Sequence, residues 1–297
     1  MRSLRHFSVG EWLHLLPLQH AAKQWRNDAW LAIYRRRHAA KQTSFLQQVA
    51  PLRGGDIALV IAFENPWVVD WQLTIAKRHL AGTTVPVFDN SRAPALRPEV
   101  ARVCADHGAP YLALPRNRTR HVNRSHGMAM SWVFSQIVRR IEPRQFAFLD
   151  HDLIPLLPVS LAERLGNQPF FGFRGTSRWG WSLWAGYCVF EYARVAALPL
   201  NFLYDFSNGL DTGGRNWAVV YRHFDSGALR FAGDAWLDVA TASTGEAQRV
   251  QVLDSSWLHI GGISYNKNFD PKEAFCKRLA QAFADGRTWP QILTAGL

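Results

Sequence analysis

Acidic residues are scarce in this chain. Its 297 residues carry 23 Asp and Glu against 34 Lys and Arg, a formal net charge of +11. That surplus implies an anionic partner: nucleotide phosphates, acidic lipid headgroups, an acidic glycan or nucleic acid. Cysteine is scarcer still, with only Cys104, Cys188 and Cys276, far apart and odd in number. A disulfide scaffold and a cysteine-ligated metal are thereby excluded, and structural thiols in a reduced compartment are predicted. Long apolar runs are missing too: none reaches the roughly 18–20 residues that span a bilayer. The basic start, Arg2-Ser3-Leu4-Arg5-His6, lacks the apolar core of a signal peptide. A cytoplasmic protein is the expectation. No internal repeat or low-complexity tract is present. What the chain does have is a 48% hydrophobic composition, enough for a large core in one large domain or two small ones.

Residues 1–53 differ from the rest. From Met1 to Ala50, eight Lys and Arg against two acids leave a net of +6. Leu18, Ala22, Trp25, Ala29 and Ile33 follow helical spacing on one face. A basic helix with Trp on its apolar side suits peripheral attachment to an anionic membrane at its inner face. The competing reading is a helix packed on the main domain or on a partner subunit. Arg53-Gly54-Gly55-Asp56 reads as the linker into a second unit, residues 54–297.

From Ile57 the pattern alternates between strand and helix. Ile57 to Phe63 is a continuous apolar run, as expected of a strand buried on both faces. Asn65-Pro66 then predicts a helix start, and the helix runs to about Leu80. A second strand is expected over Thr84 to Phe88, a helix from about Arg97 to His107 ending at Gly108, and a third strand over Tyr111 to Leu114. A basic loop with Arg116, Arg118, Arg120 and Arg124 follows. Ser125 is placed to cap a helix reaching about Arg140. Such alternation predicts an α/β fold with a mostly parallel sheet. The second half is less regular, rich in aromatics from Phe170 to Phe190, with a helix expected from Arg215 to Phe224.

The chemistry concentrates at Asp150-His151-Asp152. Phe146 to Leu149 reads as a buried strand that ends in two carboxylates, with Pro155 stopping its continuation. Ligands of α/β sheets sit beyond the carboxyl ends of strands. Hard oxygen donors there suit Mg²⁺ or Mn²⁺, which take one or two carboxylates and leave room for substrate phosphates. The bland alternative is a polar turn after a core strand.

Four pieces occur in the order seen in one family: Ile57 to Asn65, Val87-Phe88-Asp89-Asn90-Ser91, Asn123-Arg124-Ser125-His126-Gly127 and Phe148-Leu149-Asp150-His151-Asp152. Over residues 57–155 the chain resembles the GT-A-fold, Rossmann-like nucleotide-sugar glycosyltransferases, nearest to glycosyltransferase family 2. The resemblance implies a GT-A-like sheet between helices and a sugar moved from a nucleotide-diphosphate sugar to a hydroxyl acceptor. An envelope or lipid-linked glycan is the extrapolated acceptor. Phe63, Glu64 and Asn65 would border base and ribose, Asp89 would bond one of them, and Ser125, His126 and Gly127 would accept the nucleotide at a helix start. Asp150 and Asp152 would match the family's Asp-x-Asp, binding Mn²⁺ or Mg²⁺ and ribose beside His151. His259, before Gly261-Gly262, would be a late metal ligand. Asp211 would be the acceptor's general base in an inverting transfer, with Asp205 and Asp234 in reserve. The family's Glu-Asp pair is absent, since Asp211 follows Leu210. Trp179, Trp181 and Trp184 suit sugar stacking or core packing. The rival readings are a nucleotidyltransferase, whose Gly-rich basic loop is not seen, and a non-catalytic nucleotide-sugar or anionic-surface binder. No nucleic-acid motif occurs.

Overall fold

The computed structural model describes residues 2–240, 247–263 and 270–297. Three helices, α1 (Val9–Leu13), α2 (Leu16–Arg35) and α3 (Gln42–Val49), precede the first strand. The main sheet is built from β1 (Asp56–Ala62), β2 (Thr83–Thr84), β3 (Val87–Asp89), β4 (Tyr111–Ala113), β5 (Gln145–Asp150), β7 (Phe170–Ser177) and β8 (Gly180–Glu191). Its order is β4-β3-β1-β5-β8-β7, with β2 also paired to β1. Strands β1 to β5 pair in parallel, and β8 and β7 close the edge in antiparallel. The parallel part returns through α4 (Pro66–His79), α5 (Leu96–His107), α6 (Val122–Val133) and α7 (Arg139–Ile141). The result is a mixed α/β fold with a mostly parallel sheet and flanking helices.

The apolar run of β1 follows from this layering. Ile57, Leu59 and Ile61 join the core under α3 and α6, while Ala58, Val60 and Ala62 join the core under α4 and α5. Both faces are covered, so neither can be polar. Helix α4 is buried on two sides. Val69, Leu73 and Ala76 face the main sheet, and Val68, Trp71 and Ile75 enter a third core. That third core belongs to a second, antiparallel sheet: β6 (Leu153–Pro155), β11 (Trp257–His259), β10 (Ala247–Leu253) and β9 (Asp234–Ala240), in that order. It is closed by α10 (Asp270–Ala284) and α11 (Trp289–Ala295); the short α8 (Leu161–Leu165) and α9 (Tyr192–Val195) complete the helices.

Three local expectations change. The chain does not leave strand structure at Pro155. It turns at His151-Asp152 and re-enters as β6, because Ile154 packs in the third core. Ser125 does not cap a helix. Helix α6 begins at Val122, where the His121 ring accepts from Arg124 N, and the Ser125 hydroxyl is instead buried and accepts from Asn90 Nδ2 at 3.0 Å. Residues 215–224 form two short 3₁₀ turns, Gly214–Trp217 and Tyr221–His223, rather than one helix. The buried Asn216 side chain there accepts from Asn201 N at 2.8 Å, a loop-to-loop bond that a straight helix would not make. The antiparallel second sheet was not foreseen.

Candidate active site

The turn between β5 and β6 carries the chain from one sheet to the other, and Asp150 and Asp152 straddle it. Gln72 of α4 holds the turn from beneath, donating from Nε2 to the carbonyls of Asp150 at 2.7 Å and Leu153 at 2.9 Å. Asp152 is fixed against β11: its carbonyl accepts from Ile260 N at 3.0 Å and its Oδ2 from Gly261 N at 3.1 Å. His259 ends β11, opposite Gln251 in the β10 register. Ligand atoms of Asp150, Asp152 and His259 all lie within 4.8 Å of one another.

The His259 tautomer follows from its neighbours. Asp234 Oδ2 accepts from Gln251 Nε2 at 3.2 Å, which turns the Gln251 carbonyl oxygen toward His259 Nδ1 at 2.8 Å. An amide oxygen only accepts, so Nδ1 donates this bond and Nε2 is the nitrogen left for a ligand. The Trp184 ring lies 4.7 Å from the imidazole, centroid to centroid, and limits its rotation. A side chain at residue 186 would invade the cluster, since a Cβ on Gly186 would sit 2.5 Å from Asp150 Oδ2. Two acidic side chains, an imidazole and a space kept open by glycine, with one ligand atom of each side chain within 4.8 Å of the others, fit a divalent cation.

Electrostatics around the turn are uneven. Burial first, and the charge of Asp152 next, push the Asp150 carboxyl up to about 7. Burial pulls His126 down to about 4, so its ring is neutral at pH 7. The 3.3 Å approach of His126 Nε2 to Asp150 Oδ1 is then a dipolar contact rather than an ion pair. A cation held here would compete with a proton for Asp150.

The cluster lines an open cleft of about 170 Å³. Phe63, Ser125, His126, His151 and Asp211 line it with the three cluster residues. The Asp211 Oδ1 accepts from Asn123 Nδ2 and from Thr212 N, the latter at 2.7 Å. Arg92 lines the cleft as well, braced by donation to Thr119 O at 2.8 Å and stacked over the Phe63 ring.

No family model matches the chain, and no curated protein matches it. Among solved structures, one similar chain is the WbbM bifunctional glycosyltransferase in its apo form. It is 12% identical, with a TM-score of 0.33, over 48% of this chain and 32% of that one. This chain therefore spans about a third of that protein's length, and a likeness so slight fixes neither fold nor activity.

Glu64, Asn65, Asp89 and Gly127, all predicted at the nucleotide site, do not line the cleft; the Glu64 carboxylate accepts from Arg92 N at 3.0 Å and Ala93 N at 3.1 Å. Asp89 is fully buried, accepting from Ser91 N and Tyr111 OH, each at 2.8 Å. The Asn65 amide donates back to Phe63 O at 3.2 Å. Gly127 faces the 202–203 backbone, where a Cβ would meet Phe202 O at 2.4 Å. Asp205, held in reserve, is buried and takes up Ser207 and Asn208 in a turn. Gln72, Gln251, Gly186 and Arg92 are site residues that the sequence reading did not pick out, and Asn123 entered it only as part of a matching piece, with no role. Gly186 alone had a signal, as a glycine inside a strand. Gln251 becomes visible only once β10 is paired with β11.

Proposed function

We propose that the chain is a metal-dependent glycosyltransferase, moving a sugar from a nucleotide-diphosphate donor to a hydroxyl acceptor. The observation that carries this reading is the Asp150, Asp152 and His259 cluster beyond the carboxyl end of a central parallel strand, facing a cleft. Those three residues would hold Mn²⁺ or Mg²⁺, and the imidazole favours the softer Mn²⁺. Such an ion supplies Lewis-acid stabilisation to a departing diphosphate. The protein's own groups do the rest. Phe63 offers a ring face to the base, and Arg92 beside it offers cationic charge to phosphate. Asn90 and Ser125 bring hydrogen-bonding groups to the nucleotide wall. Asp89 supports that wall at one remove, through Ser91 and Tyr111. Asp211 takes the acceptor proton as general base, with Asn123 holding its carboxylate in place. Trp184 covers the cluster and keeps water from it.

The test is a thermal-shift series with nucleoside diphosphates and nucleotide sugars, with and without Mn²⁺, followed by assay for released nucleoside diphosphate. Stabilisation that needs both sugar nucleotide and metal is expected, because a ligand bound only by the native state raises its stability. Release of pyrophosphate from a nucleoside triphosphate would replace this reading with nucleotidyl transfer.

A further inference from the structure

The apolar stripe of α2 points away from the protein. Leu18, Ala22, Trp25, Ala29 and Ile33 recur at helical spacing, yet Leu18 is 57% exposed, Trp25 75% and Ile33 56%. The opposite face is the buried one. It is anchored by a different set: Leu31 and Tyr34 in the core, Tyr34 OH donating to Pro115 O at 2.9 Å, and Asp28 paired with Arg215 at 2.7 Å. These anchors fix the helix about its own axis, so it cannot roll to bury the stripe. The preceding helix and turn extend the same character with Val9, Trp12, Leu13 and Leu15. Of thirteen large apolar side chains exposed among the described residues, nine lie between Leu4 and Ile33, which makes this a concentrated patch rather than scatter.

The charges sort with it. Lys23, Arg26, Arg36 and Arg37 on α2 and just beyond are exposed. The two acids of the segment are consumed, Glu11 by Arg2 and Asp28 by Arg215. The outer face therefore offers apolar side chains among cations. At the C-terminal end of α2, Trp30, Ile33 and Met128 share a groove with Arg116 and Arg118. Those two arginines also line a basic trough that reaches Arg92 at the mouth of the cleft.

We propose that this outer face of α1 and α2 docks on an anionic lipid bilayer. A basic helix with a Trp-bearing apolar side lies in the headgroup plane, where burial of the stripe and attraction of the cations act together. The helix has 20 residues, so at 1.5 Å per residue it lies along about 30 Å of membrane surface. The trough then opens at the lipid surface and leads toward the cleft. The docking stands on these surfaces alone and not on the transfer reading.

The test uses the full chain with sedimented vesicles of phosphatidylcholine, with and without phosphatidylglycerol. Binding to the anionic vesicles that weakens with salt is expected. Replacing Arg26 and Arg36 by Gln should lower partition about fivefold for each cation removed. Trp25→Glu with Ile33→Glu should abolish it, while Trp236→Glu, at an exposed site on β9, should leave it unchanged. A second measurement avoids damaging the face. The native cysteines are buried, so Leu18→Cys can be labelled selectively with an environment-sensitive dye, whose emission should shift blue on anionic vesicles. Unchanged emission, or equal partition of the Glu variant, would overturn the proposal. A dimer in light scattering that Trp25→Glu with Ile33→Glu dissolves, without any vesicle binding by the parent, would reassign the face to a second copy of the chain.

Discussion

Asp150 sets the pH behaviour of the candidate site. Its carboxyl is raised from 3.8 to about 7, so between those values the folded protein keeps a proton that the unfolded chain has lost. That contribution to stability is full at low pH and is lost as pH rises through about 7. His126 runs the other way, since its folded value of about 4 lies below the ordinary 6.5, and its contribution grows as pH rises between them. The metal-dependent difference in melting is therefore the quantity to follow. A cation must displace the Asp150 proton, so the Mn²⁺ shift should be small about one unit below neutrality and grow through pH 7. A shift that ignores pH would remove Asp150 from the ligand set. Asp152→Ala should remove the Mn²⁺ shift while the protein still melts cooperatively. Asp211→Asn should leave donor affinity nearly unchanged and lower turnover by about 10²-fold or more, the scale of a lost general base. Single-turnover transfer with normal speed would shift the base to another carboxylate.

At the scale of elements, the site depends on close approaches that only glycine permits. Helix α6 presses Gly127 against the Phe202 carbonyl, and Ser131 of the same helix accepts no such freedom: its hydroxyl is engaged by Gly127 O at 2.6 Å and by Phe202 N at 2.9 Å. Gly127→Ala should destabilise the protein by about 1–3 kcal/mol through overpacking, read by denaturant unfolding, with metal binding retained. Gly186→Ala differs in kind. Its Cβ would collide with Asp150 Oδ2 and the Trp184 ring. It should weaken the Mn²⁺ shift more than it lowers the metal-free melting temperature. An equal loss in both would make Gly186 a packing residue only.

The whole molecule binds its N-terminal segment tightly on one side and leaves it open on the other. Leu31, Tyr34, Phe45 and Val49 share a core with Ile57 and Phe88 of the main sheet. Each buried apolar side chain is worth about 1.5–3 kcal/mol, so these four together reach the size of a typical net stability of about 5–15 kcal/mol. Deleting residues 1–50 should therefore yield an insoluble protein or one with a much lower melting temperature. A truncated chain that melts like the parent would show that the sheet domain is self-sufficient. The net charge of +11 adds a long-range attraction to anionic surfaces that salt screens.

Much of the parallel half was legible because local pattern and tertiary role agree there. The apolar run that starts at Ile57 folds as expected into a strand covered on both faces, though it ends at Ala62 and leaves Phe63 to the cleft, and Gly108 ends α5 in the left-handed conformation it was expected to supply. The carboxylates at the end of β5 were legible for the same reason, as charges terminating an apolar strand. Local chemistry could not reveal which polar groups were already spoken for. Asp89 and Asp211 are both strand- or turn-end aspartates in sequence, yet Tyr111 takes up the first inside the protein while the second lines the cleft. The distance from Asp152 to His259 is 107 residues along the chain, and only the pairing of β6 with β11 closes it. The amphipathic period of α2 fixed which residues share a face, but not whether that face turns inward. Bonds from Tyr34 and Asp28 to distant segments decided that, and they turned the apolar side out.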